Sequence, residues 1–213
     1  MFKIKNFKKK LLTVTLPLFS MLVACGGDNS SSADDDIGIE MVEINGLMWA
    51  TKNLDKNVEG SRCYDDDSIN CQKYGRLYTF AQAMGVEQKY DSTELKDITY
   101  PYQGVCPKGT YLPSHEQWKN LVNYLKSNPE YKEYFTNQVG GAFDYKGYYR
   151  SIEEETVFWS STQYDDSAFP EREAWVWKYA WVWAFRNDKT RSIVTDNAHK
   201  ITGGYVRCVK DVK

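Results

Sequence analysis

The sequence has only 2 histidines, no C-x-x-C pair among its 5 cysteines and no excess of basic charge. Each scarcity excludes something. With 27 Lys+Arg against 29 Asp+Glu and a net charge of −2, no basic face offers itself to nucleic acid. Without paired cysteine spacing, a structural zinc site is the weaker use of the thiols. His115 lies beside a helix cap and His199 in an expected loop, neither with a nucleophile close in sequence, so catalysis has little support. Beyond residue 24 no apolar run is long enough to span a bilayer. Nothing calls for a cofactor or a metal. Asp65-Asp66-Asp67 with Asn70 could gather oxygens around calcium, but Ile69 stands where a ligand should and the turn lacks glycine. That segment, like Asp165-Asp166, reads as a solvated loop.

What is present begins with an export signal. Lys3, Lys5, Lys8, Lys9 and Lys10 precede an apolar stretch from Leu11 to Val23, too short for a comfortable membrane span. Leu22-Val23-Ala24-Cys25 then resembles the lipobox of bacterial lipoproteins, in which the peptide is cut before a lipid-bearing cysteine. Residues 1–24 are therefore expected as a signal peptide and Cys25 as the lipidation site. Each buried CH₂ of an acyl chain contributes about 0.8 kcal/mol, so two or three chains anchor a protein stably. Residues 25–36 carry no large apolar side chain and read as a flexible tether.

Residues 37–213 suffice for one domain with a substantial core. Aromatics make up 15% of the chain, with 7 Trp and 16 Tyr, more than such a core needs. Cys63, Cys71, Cys106 and Cys208 remain for an oxidising compartment. Of the three possible pairings, Cys63–Cys71, which closes a short hydrophilic loop, and Cys106–Cys208, which ties mid-domain to the last strand, are preferred.

Met41 to Trp49 reads as a hairpin around Asn45-Gly46. Thr79 to Met84 reads as a short capped helix. Ser114, with Gln117 three residues on, opens a second helix bearing Trp118, Leu121, Val122 and Leu125, which Asn128-Pro129 ends. Val157 to Ser160 is a candidate strand. From Ala174 to Phe185 a strand is expected with Trp175, Trp177, Tyr179, Trp181, Trp183 and Phe185 on one face and smaller residues on the other. Arg191 to Thr195 should return alongside it after a turn at Asn187-Asp188, and Gly204 to Val209 should form the last strand. Helices early and antiparallel strands late imply an α+β fold.

Five blocks carry a resemblance: Val42 to Leu54; Cys63-Tyr64 with Asn70-Cys71 and Lys73 to Thr79; Gly104 to Ser114 with Glu116 and Trp118; Phe158 to Thr162; and Tyr205 to Asp211. In this order they resemble the Fibrobacter succinogenes major paralogous domain, a family that looks related to the C-type lectin-like fold. One departure is Gly109-Thr110-Tyr111, where the family usually has Gly-Trp-His. The resemblance implies a compact domain with two short helices, antiparallel sheets, and first and last strands brought together, in an exported or surface protein. It implies no known activity. The Glu-Pro-Asn-like loop and Trp-Asn-Asp-like strand of calcium-dependent sugar binding are not found.

The reading that results is a membrane-anchored surface lipoprotein of the cell envelope, at the outer membrane, with a non-catalytic domain that binds carbohydrate. Trp175, Trp177, Trp181 and Trp183 are the candidate ligand-binding residues, because flat aromatic rings stack on the C–H faces of sugars; Trp177 or Trp181 is the expected exposed member. The rival use of the stripe is core packing. The alternative function is a structural or protein-interaction module of the envelope, and a third is a sulfatase-modifying type of enzyme, which would need a reduced cysteine.

Overall fold

The computed structural model describes residues 38–165, 176–187 and 192–212. Strands β1 (Met41–Ile44) and β2 (Leu47–Ala50) pair antiparallel around Asn45 and Gly46, whose positive φ angles of 51° and 78° suit a two-residue hairpin turn. Helix α1 (Ser68–Tyr74) starts where the Asp67 carboxylate accepts the Ile69 N–H at 2.9 Å. Helix α2 (Phe80–Met84) and helix α3 (His115–Ser127) both open with reciprocal caps, Thr79 with Gln82 and Ser114 with Gln117. Asn128-Pro129 ends α3, and a 3-10 turn, Pro129–Lys132, leads into α4 (Glu133–Thr136).

The remaining strands are β3 (Gly140–Phe143), β4 (Tyr149–Ile152), β5 (Glu155–Gln163), β6 (Tyr179–Arg186), β7 (Ile193–His199) and β8 (Val209–Asp211). They form two sheets. A three-stranded sheet runs β1-β2-β8, so the last strand lies against the first hairpin. A five-stranded sheet runs β4-β3-β5-β6-β7, antiparallel except for the β3–β5 contact. The fold is α+β.

One core lies between the larger sheet, α3, α4 and the first hairpin. Trp118 sits 4.9 Å from Trp49 and stacks on Phe158 at 5.2 Å, while Phe135 stacks on Phe185 at 5.1 Å. A second core joins α2 to the sheet's other face, around Phe80, Met84 and Trp159. Two of the buried indoles are tied to backbone: Trp118 donates to the Trp159 carbonyl at 3.2 Å, and Trp159 to the Tyr78 carbonyl at 2.7 Å. Arg207, fully buried, donates to the carbonyls of Ala50 and Tyr134 and to the Asn53 side chain. Its guanidinium lies 5.3 Å from the Phe135 ring and 5.4 Å from Phe158, and burial pulls its pKa down to about 9. This one side chain binds the segment before β8 to the end of β2 and to α4. The disulfides are Cys63–Cys71 and Cys106–Cys208.

Several expectations are corrected. Ala174 to Phe185 is not one strand: Val176–Lys178 forms a 3-10 turn and pairing begins only at Tyr179. The returning strand reaches His199, which pairs with Tyr179 instead of lying in a loop. The final strand starts at Val209, because Gly204 and Tyr205 make only single bridges, to Tyr78 and Phe158. Two further α-helices, α1 and α4, join the two expected. The Cys63–Cys71 loop proved helical because Asp67 supplies a cap amid its polar residues. The β3–β4 hairpin gives little sequence signal, since its first strand opens with Gly140-Gly141. Gly141 holds φ at 73°, and a Cβ there would run into the Arg150 carbonyl.

Candidate functional site

Along β6 large and small side chains alternate, and the two faces meet different surroundings. The large face turns to α3. Phe185 is fully buried and Trp183 is 5% exposed, with the His115 ring stacked on Trp183 at 5.3 Å. Trp183 is thus core, not a platform: the first turn of α3 covers it. Trp181 is half-buried, stacked on His115 at 4.3 Å and edge-on to Tyr164 at 5.0 Å. Trp177 is half-buried in the 3-10 turn, and Trp175 lies outside the described residues. Of the three described candidates, only Trp181 and Trp183 share the face of β6. His115 donates its backbone N–H to Thr162 Oγ1 at 3.0 Å, and burial lowers its imidazole pKa.

The small face opens on a groove of about 460 Å³. Val157 pairs with Ala184, and Ala184 with Val194; together with Val182 and Ala198 they make an apolar floor. Arg150, opposite Ala142 on β3, stands at one side with the Arg186–Glu155 pair, whose Nε–Oε2 distance is 3.4 Å. Asp196 and Asn197 stand along the β7 side.

One end of the groove is aromatic. The loop between β3 and β4 is held by Asp144, whose Oδ1 accepts the N–H groups of Lys146 at 2.8 Å and Tyr148 at 3.1 Å. That rigid turn presents Tyr145, 56% exposed, and Tyr148, 70% exposed. Tyr145 stacks on His199 at 6.0 Å, and Tyr179 meets the same imidazole edge-on at 5.4 Å. His199 Nδ1 accepts the Ile201 N–H at 3.4 Å, which assigns the neutral tautomer protonated on Nε2. Burial, with Lys178 nearby, lowers its pKa. Sequence reasoning passed over this end. The signal was there in Asp144-Tyr145-Lys146-Gly147-Tyr148, an Asx-type turn with two tyrosines at its tip.

The acidic loop before α1 is occupied by its own chain. Asp66 pairs with Arg62 at 2.6 Å and accepts the Tyr149 hydroxyl at 2.6 Å, and the Arg62 hydrogen bond pulls its carboxyl down to about 2. Asp67 caps α1, and Asn70 donates to the Tyr64 carbonyl at 3.0 Å. Among the described residues no three His, Cys, Asp or Glu side chains gather as a metal site.

The chain matches no protein-family model, no curated protein and no solved structure.

Proposed function

We propose that the protein is an exported lipoprotein of the cell envelope, held at the outer membrane by lipid on Cys25, whose 37–213 domain resembles the lectin-like Fibrobacter succinogenes paralogous domain and binds carbohydrate without catalysis. The observation that carries this reading is the exposed Tyr145 ring, backed by His199, at the end of a groove with an apolar floor and mixed polar rim. Sugars present apolar C–H faces and a fringe of hydroxyls that both donate and accept. A tyrosine ring supplies a rigid apolar plane at low entropic cost. Asp144 and Asp196 accept, Arg150 donates, and Asn197 can do both. The platform is thus assigned to the β3–β4 loop; Trp181 is half-buried on the opposite face of β6, and Trp177 half-buried in the 3-10 turn before it.

The test is retention of the full-length protein, in detergent, on insoluble cellulose and on a glycan array. Wild type should bind, and Tyr145→Ala should lose about tenfold in affinity, roughly 1.4 kcal/mol, while its melting temperature stays unchanged. Undiminished binding by Tyr145→Ala removes the groove from the reading. No retention on any glycan favours the envelope-module alternative, for which one observation speaks: β7 has no strand partner on its outer edge among the described residues.

A further inference from the structure

Just after β7 lies a buried amine that makes no ion pair among the described residues. Lys200 is fully buried, and among the described residues no carboxylate forms an ion pair with it. Its Nζ donates to the Thr93 carbonyl at 2.9 Å and to Gln163 Oε1 at 2.5 Å, 4.9 Å above the Phe80 ring. The Gln163 amide is clamped in turn: Oε1 also accepts the Leu95 N–H at 2.8 Å, and Nε2 donates to the Leu95 carbonyl at 2.7 Å. Asp91, near enough for its charge to act on Lys200, is 2% exposed; its Oδ1 accepts the Ala81 N–H at 2.7 Å, while Oδ2 has no hydrogen-bond partner among the described residues.

A buried ammonium without a counter-ion is unfavourable, and the group escapes by shedding its proton. Burial pulls Lys200 down to about 8, with Asp91 and Glu94 opposing, so an amine with a free lone pair is populated near neutral pH. Burial likewise raises the pKa of Asp91 and favours its acid form. A desolvated amine, a fixed amide carbonyl and a buried acid are the groups that amide exchange requires.

The geometry points to an intramolecular isopeptide bond between Lys200 and Gln163. The Nζ lone pair attacks Gln163 Cδ. The Leu95 N–H already on Oε1 stabilises the oxyanion. Protonated Asp91 gives its proton to Nε2, which leaves as ammonia, and recovers the proton that Nζ sheds. The Nζ–Cδ bond forms, the Cδ–Nε2 bond breaks, one ammonia departs, and no oxidant or reductant is consumed. The product carries no buried charge, and its amide N–H keeps the Thr93 carbonyl within reach as acceptor. The link staples the end of β5 to the turn after β7, across β6, and does not depend on what the groove binds.

Tryptic mapping of the reduced full-length protein decides it. The expected product is a branched peptide joining the Gln163 and Lys200 segments, lighter than their sum by one ammonia, with no cleavage after Lys200. Cleavage after Lys200, with Gln163 in a separate peptide of unaltered mass, overturns the proposal. Asp91→Asn should fold, by circular dichroism, and form the link about a hundredfold more slowly after refolding from urea. Equal linkage in that variant overturns the role given to Asp91. Lys200→Arg, which keeps a cation but cannot make the bond, should retain the fold and lose the branched peptide.

Discussion

The histidines His115 and His199 both have pKa values lowered first by burial. Each packs on aromatic rings, His115 on Trp181 and Trp183, His199 on Tyr145 and Tyr179. A depressed folded pKa means that the unfolded chain takes up protons first on acidification. Stability should therefore be full above the ordinary imidazole value of about 6.5 and fall as pH drops below it. The expected result is a lower midpoint of urea unfolding at pH 5.5 than at pH 7.5, both about the imidazole range. His115→Asn combined with His199→Asn should flatten that change, since no other imidazole is present. A slope that survives in the double variant would place the pH sensitivity elsewhere. Sequence placed His115 correctly beside its cap, but the rings around either histidine come from segments distant in the chain.

Strand β6 shows how far an alternating pattern reaches. The period of two correctly separates large from small residues between Tyr179 and Phe185, because a pleated strand sends neighbours to opposite faces. It does not say which face is covered. Here α3, entering through the Ser114 cap, lies over the large face, and the groove opens on the small one. Replacing Trp183 with Ala should cost about 3–5 kcal/mol, as loss of a buried large side chain does. Trp181→Ala should cost clearly less, because that ring is only half-buried. Chemical unfolding of the two variants side by side checks this; equal losses would show that Trp181 is as deep in the core as Trp183. The caps at Thr79 and Ser114 and the Asn45-Gly46 turn were legible because each is a local bargain between a side chain and nearby backbone. The β3–β4 hairpin was not, since glycine at its start carries no periodic signal.

For the whole molecule, the anchoring claim rests on Leu22-Val23-Ala24-Cys25, which lies outside the described residues. Cys25→Ala should leave unprocessed or soluble protein in cell fractionation; a mature-sized variant still pelleting with membranes would refute lipid attachment. The disulfides Cys63–Cys71 and Cys106–Cys208 are the pairing preferred from sequence, the first local, the second joining positions 102 apart. The α+β class, the first hairpin and the capped helices could be read from the chain because they follow from neighbouring residues; the bridges were preferred because one pair is local and the other joins two motif blocks, out of three pairings that four thiols allow. Tertiary structure alone decided three things. It buried Trp183 beneath α3, it set Tyr145 against His199, and it brought Lys200, Gln163 and Asp91 together from three separate segments. Each depends on which faces of the sheet are covered and on contacts between residues far apart, and neither is encoded in a local period or motif.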